Sequence, residues 1–547
     1  MRATAIEKGG SMRVADTVFL HGHVITVNEK DEIAEAVAVS GNQICMVGTS
    51  EEVQAAIGAE TKVIDLRGRT LMPGFIDAHM HLTLLALLAG EYLDVNSDQL
   101  PTIDALKEAI AERARQVPKG TWIKCWGYEQ SKLLDQRHPT AADLDEAAPD
   151  HPVQVVRCCG HMGVYNSKAL ALIDLEKFQP DEVMREQGRA TGLLKESAHN
   201  ALWSQVAFTR EGLAEGLRKT SRELLSMGIT SVHDAGGYGA KTLDMMEQAS
   251  RTGDLGVRVY QLLYSTFGKE ATNDWQAHIR GSGIRTGFGN RWFRIGAMKQ
   301  LLDGSTSGPS SATRAPYSHD PELKGILNLS QREMDDFVRI NHEAGYQVTA
   351  HAVGDLSVEM FLAALEKALG PNPADSFHRI EHCALTDERL IEQLRRLKIT
   401  PISNPGFFYE NASAYIRYYG DRVRHMFPLK SYLEKGIPTA LGSDAPVISA
   451  NPMIGLYGAV CRRDKCSGET AGREQRVGLL DAIRMYTYNG ALASMEADRK
   501  GSIEAGKLAD LTVLSCNLLQ CPEDALKEVQ VDFTMVDGKL EYSRVDV

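Results

Sequence analysis

Eight short apolar runs, each ending near a polar residue, constrain this chain more than any other feature. In order they are LMPGFIDAHMHL (71–82), GITSVHDAG (228–236), VRVYQLLYS (257–265), WFRIGAMKQLLDG (292–304), GYQVTAHAVGD (345–355), FHRIEHCAL (377–385), KITPISNPG (398–406) and GIPTALGSDAP (436–446). Amphipathic stretches such as SQREMDDFVRINHEAG and TDERLIEQLRRLK lie between several of them. Strands alternating with helices are βα units around a parallel sheet, and eight strands close a (β/α)8 barrel. A doubly wound open sheet is the competing architecture.

The ends of the chain have a different texture. Short Val/Ile/Thr runs broken by Gly and Asn occur early (TVFLHGHVITV, EAVAVSGNQICMVG) and return only late (GSIEAGKLADLTVLS, VQVDFTMVDGKLEYS). These are strand-and-hairpin signals. They predict one small β domain built from 13–72 and 500–547, bracketing a barrel over 73–499. Between the first and second barrel strands lie far more residues than one helix needs. TIDALKEAIAERARQV reads as a helix there, and TWIKCWGYEQ and HPVQVVRCCGHMGVY as strands. The segment 95–206 is therefore expected to be an α+β insertion packed over the barrel mouth.

At 547 residues the chain exceeds one compact core, so two or three domains are expected. A net charge of −12 with scattered basic residues argues against nucleic acid. No run approaches the ~18 apolar residues of a membrane span, and the N-terminus lacks the apolar core of a signal peptide. The nine cysteines are odd in number and dispersed, as for reduced thiols. A cytoplasmic enzyme is expected, acting on a small molecule, with no nucleic-acid or membrane partner and a homodimer as its assembly.

Chemistry concentrates at the ends of the proposed strands, where barrel active sites are built. The first ends in His79 and His81, and residues i and i+2 of a strand face the same way, so both imidazoles can grip one ion. The fourth carries Lys299, whose ammonium is costly to bury unpaired. Either Lys299 pairs with a carboxylate such as Asp303 or reaches the rim, or its neutral amine takes up carbon dioxide as a carbamate that bridges two cations. The fifth, sixth and eighth end in His351, His382 and Asp444. N/O donors of this kind suit Zn²⁺, with Mn²⁺, Fe²⁺ or Co²⁺ as alternatives, and the set suffices for one or two ions. His161 is a candidate donor to a substrate carbonyl or oxyanion. Trp126, Tyr128 and Tyr317 are candidate apolar walls, and His233–Asp234 a pair that orients a ligand. The Ser-rich 304–311 loop lacks a G-x-S-x-G elbow, and GGYGAKT is neither a P-loop nor a dinucleotide fingerprint.

The motifs GFIDAHMHL, MKQLLDG, HAVGD, RIEHC and GSDAP, in that order, resemble the amidohydrolase superfamily. GHMGVYNSKAL and TGLLKESA resemble its family 3 branch, which includes N-substituted formamide deformylases. The resemblance runs from about Asp16 to Gly538. It implies a TIM-like barrel, a β-sandwich made from the chain ends, and metal-dependent hydrolysis of a non-peptide C–N bond, in a linear N-substituted amide or formamide. By position, it implies that His79, His81 and Asp444 hold a first metal. A carboxylated Lys299 would bridge to a second metal on His351 and His382. Asp444 would also be the general base for a metal-activated hydroxide. Gln300 departs mildly from the pattern, standing where family members commonly carry an apolar residue. A deaminase is the rival within the superfamily, but those enzymes carry H-x-x-E after the fifth strand, where this chain has Ala352-Val353-Gly354-Asp355. Hydrolysis of a carbamate, lactone or cyclic amide, or a scaffold without catalysis, are further alternatives.

Overall fold

The computed structural model describes residues 14–158, 160, 162–206, 208–374 and 376–546. They form two compact units: Met1–Leu82 with Ser221–Tyr264 and Thr272–Val547, and Thr83–Thr220 with Ser265–Ala271.

Each of the eight apolar runs supplies one strand of an all-parallel sheet in the first unit. These are β1 (Phe75–Met80), β2 (Ile229–Asp234), β3 (Arg258–Leu263), β4 (Phe293–Leu301), β5 (Val348–Ala352), β6 (Arg379–His382), β7 (Thr400–Ser403) and β8 (Ala440–Leu441). Sequence neighbours are spatial neighbours throughout, so the fold is the barrel and not the doubly wound sheet. β1, β2 and β3 are buried along their whole length. A strand covered on both faces has no polar side to alternate with, which is why these runs read as nearly continuous apolar sequence.

The helices between strands follow their local signals. Gln331–Glu343 starts on a capping box in which Ser330 and Glu333 satisfy each other's backbone N–H groups. Glu388–Leu397 is capped by Asp387 and buries Leu390, Ile391, Leu394 and Leu397, the helical period of one apolar stripe.

The seam between β1 and β8 is where the barrel meets its chemistry. Backbone hydrogen bonds run from Asp444 N to His79 O (2.7 Å) and from His81 N to Ala445 O (2.8 Å). The buried Asp77 carboxylate accepts from the N–H groups of His79 (3.1 Å) and Ser443 (3.0 Å) and fastens the same two segments. A side chain at Gly442 would bring a Cβ within 2.5 Å of His79 N, so only glycine permits the approach.

The chain ends build two further sheets in this unit. One orders Gln43–Gly48, Ala36–Ser40, Thr17–Leu20 and Lys62–Asp65. The other orders Lys539–Ser543, Val531–Val536, Leu511–Leu514, Thr70–Pro73, His23–Ile25 and Ile33–Ala34. Leu511–Leu514 pairs antiparallel with Thr70–Pro73, so the two ends are joined through one sheet. Phe19, Val37, Val39, Leu71, Leu511, Val513 and Phe533 share one core.

The second unit holds a six-stranded mixed sheet that includes Ile123–Tyr128, Val153–Arg157 and Met162–Tyr165. The helix Ile103–Gln116 packs Leu106 and Ile110 into its core beside Cys125, Val155 and Val164. Its first segment spans Thr83–Thr220, wider than the 95–206 read from the sequence. No helix among the described residues is long and apolar enough to cross a membrane.

Candidate metal centre

Strand ends bring His79, His382 and Asp444 together: one ligand atom from each lies within 4.8 Å of the others, and all three residues are buried. Asp444 Oδ1 is 3.4 Å from His79 Nε2 and 3.3 Å from His81 Nε2. The His382 ring lies 4.6 Å from that of His79 and 4.5 Å from that of His351. His81 is the reachable member, its side chain 26% exposed against 1% for His79.

His79 Nε2 is buried and has no hydrogen-bond partner among the described residues. A buried imidazole nitrogen left this way costs free energy unless something accepts its lone pair. Carboxylate and imidazole donors converging on one point are a set that fits a divalent cation.

Backbone strain accompanies the site. His382 (φ 66°), Cys383 (φ 46°) and Asp444 (φ 65°) occupy the left-handed region that non-glycine residues avoid. On a regular strand Glu381 and His382 would face opposite ways. The turn of the chain at His382 lets both reach His79: Glu381 Oε2 lies 2.5 Å from His79 Nδ1.

The charges are strongly coupled. Burial pushes the Asp444 carboxyl up, but the imidazoles of His79 and His81 beside it outweigh that and hold the group well below its usual range. Burial and Lys299 lower the His79 imidazole, and Glu381 and Asp444 reverse that and raise it overall. A proton and a cation therefore compete for His79. His351 is pushed down to about 4 by burial and Lys299, and His382 falls well below its ordinary value by burial and His351. Both rings are neutral and able to ligate.

Lys299 is buried, and burial lowers its pKa although Glu381 and Asp444 pull the other way. Its Nζ donates to Ala235 O at the end of β2 (2.9 Å) and lies 5.5 Å from the centre of the Tyr264 ring. Asp303 is not its partner. That carboxylate accepts instead from the N–H groups of Ala312, Val353 and Gly354 and from Ser357 Oγ. His351 Nε2 faces Gly304 O at 3.1 Å, which leaves Nδ1 as its lone-pair nitrogen.

The remaining sequence candidates have the following surroundings. Tyr317 is 2% exposed, packed with Phe407, Phe408, Tyr415 and Tyr419, with its hydroxyl 2.7 Å from Ser311 Oγ. Tyr128 is fully buried in the core of the second unit, its hydroxyl 3.0 Å from His138 Nδ1. Both side chains are buried within core clusters. Trp126 is half-buried beside Trp203 and Tyr92. His161 lies outside the described residues. His233 accepts from Arg379 through Nδ1 (2.8 Å).

Three groups escaped the sequence reading. Asn404, just past β7, places Oδ1 2.8 Å from His382 Nδ1. Arg379 and Glu381 sit one turn of alternation apart in RIEH, both fully buried. Two charged residues in so short a buried strand were the available signal.

An eight-stranded parallel barrel with histidines and an aspartate gathered at its strand ends defines the class of metal-dependent hydrolases. A model of the amidohydrolase family, in its family 3 branch, matches residues 62–542. An N-substituted formamide deformylase from Arthrobacter pascens is 30% identical over 97% of this chain and 99% of its own length. A putative amidohydrolase, YtcJ, from Bacillus subtilis (strain 168) is 29% identical over 96% and 98%. Among solved structures, an uncharacterized metal-dependent hydrolase from Pyrococcus horikoshii superposes with a TM-score of 0.76. It is 24% identical, over 93% of this chain and 99% of that one. The chain belongs to the amidohydrolase family and is a hydrolase of carbon–nitrogen bonds.

Proposed function

We propose that the chain hydrolyses the C–N bond of a small linear N-substituted amide or formamide. The observation that carries the reading is the buried His79 Nε2, without a hydrogen-bond partner and facing Asp444 within a cluster that includes His382. The similarity to a formamide deformylase along the whole chain supports the substrate class. His79, His81 and Asp444 would hold one cation, and His351 and His382 a second, with Lys299 as an N6-carboxylated bridge. A Zn²⁺ ion held there supplies a Lewis acid that brings the pKa of water from 15.7 to about 7.

The chain's own residues do the rest. Asp444, ionised, takes a proton from the attacking water and returns it to the leaving nitrogen, acting as base and then acid. His81, the most exposed of the cluster, marks the side from which substrate arrives. A Lys299 with a lowered pKa has more of its amine neutral, the form that adds carbon dioxide and releases a proton to become a carbamate.

Elemental analysis of the purified protein, joined to hydrolysis assays on formamides, N-acyl amines, N-acyl amino acids, carbamates, lactones and an aminopurine, tests the reading. Bound zinc with turnover of linear amides is expected. Turnover confined to the aminopurine would mean a deaminase, and a protein without bound metal would remove the metal centre.

A further inference from the structure

Beneath the ligand set, the barrel interior holds a fully buried line of hydrogen-bonded groups whose directions are fixed by chemistry. Arg379 has only donors, and an ionised carboxylate only acceptors. Glu381 Oε1 accepts from Thr349 Oγ1 (2.7 Å) and Arg379 Nε (2.7 Å). Glu381 Oε2 accepts from Arg379 NH2 (2.9 Å) and faces His79 Nδ1 (2.5 Å). Arg379 NH2 also donates to Ala78 O (2.6 Å), the residue before His79, and NH1 to His233 Nδ1 (2.8 Å). Each oxygen of Glu381 thus faces two donors, so it is unavailable as a ligand itself. The hydrogen between Glu381 and His79 must come from Nδ1. Nε2, the nitrogen aimed at Asp444, is then the one left with a lone pair.

We propose that Glu381 is a positioning residue that fixes His79 in its Nδ1–H form and so presents Nε2 to a metal ion, while Arg379 clamps the carboxylate in register. The inference rests on the reading of the His79–His382–Asp444 cluster as a metal centre. Groups that orient a ligating histidine commonly change metal affinity by about 10–100-fold when altered. Here the same strand that supplies His382 also supplies the group that sets its neighbour's tautomer, a consequence of the left-handed backbone at His382.

The test is Zn²⁺ affinity of the metal-stripped full chain by chelator competition, with the visible spectrum of the Co²⁺-loaded protein as a second readout. In Glu381→Gln an amide NH2 replaces the acceptor at Nδ1 and favours the opposite tautomer, so affinity is expected to weaken about 10–100-fold and the Co²⁺ spectrum to shift. Thr349→Val removes a different hydrogen bond from the same carboxylate and should change affinity less than about threefold, with the spectrum retained. Wild-type affinity in Glu381→Gln, or equal losses in both variants, would overturn the inference, because a merely structural role moves both alike. If Glu381→Gln does not fold, Glu381→Asp keeps the charge beside Arg379 but withdraws it from His79. Binding at least about tenfold weaker then supports the inference, and unchanged binding overturns it. A wild-type protein that takes up no Zn²⁺ would instead overturn the metal-centre reading itself.

Discussion

Where the barrel strands begin, Arg258 donates to Asp510 (2.7 and 2.9 Å) and to Asp537 (3.2 Å), and Lys500 and Arg294 share Glu496 (2.9 and 3.2 Å). Where the strands end, Asp444 and the Nε2 atoms of His79 and His81 stand 3.3–3.4 Å apart. The first cluster answers each cation with carboxylates, and Asp537 (φ 53°) is the one of its named residues that leaves the ordinary backbone regions. The second gathers lone pairs on one point and bends the backbone at His382 and Asp444 to do so. Charge buried in closed pairs is costly to break, because the remaining partner is left unanswered. Lone pairs buried without donors are stable only with a cation to share, and strain of this kind clusters at functional positions. The two ends of one barrel thus differ: one closes its charges in pairs, and the other gathers imidazole nitrogens around a carboxylate.

The contrast is open to direct attack. Asp444→Asn should lower turnover by about 10⁴-fold while leaving most of the metal and the melting temperature in place. Near-normal turnover in that variant would exclude Asp444 as the base. Arg258→Met leaves Asp510 without its cation, while Asp537 keeps Arg291 (3.1 Å), and should cost about 3–5 kcal/mol of stability in denaturant titration. The metal content of the folded fraction should not change, and parallel loss of metal would join the two clusters that the structure keeps apart. Lys299→Ala should remain folded, lose activity by about 100-fold and release part of its metal. Full activity with unchanged metal content would remove the bridging role.

The smallest effect concerns His378, just before β6, which burial and then His342 push down to about 3. Its neutral ring is the form that the fold accepts, with Nδ1 accepting from Val348 N (3.1 Å). The unfolded chain takes up a proton near 6.5, so the stability this group contributes is complete above that pH. It is lost as pH falls from 6.5 toward 3, by at most about 1.4 kcal/mol per pH unit. Melting curves at pH 7 and 5.5 should show a steeper acid loss in wild type than in His378→Gln. Equal slopes would show that His378 does not carry it.

Much of this was legible in the order of residues. Parallel strands covered on both faces must be apolar, so their polar ends stood out, and His79, His81, Lys299, His351, His382 and Asp444 could be picked by position. The partners of those residues were not legible. Strand alternation predicts which face a side chain takes, but it fails where φ turns positive, and His382 lies at such a turn. Asn404 and Thr349 reach the site from other strands, through neighbours that only the closed sheet creates. The burial of Tyr128 and Tyr317 was not legible either, since a ring that fills a core and one that lines a cleft have the same sequence signature.

The sequence by itself determined the eight strands and the joining of the chain ends, because these depend on local polarity and its period. Only the tertiary structure decided which nitrogen of His79 is held by Glu381 and which one faces Asp444. That choice depends on the β1–β8 seam and on a backbone bend at His382, where contacts between segments some 300 residues apart overrule local preference.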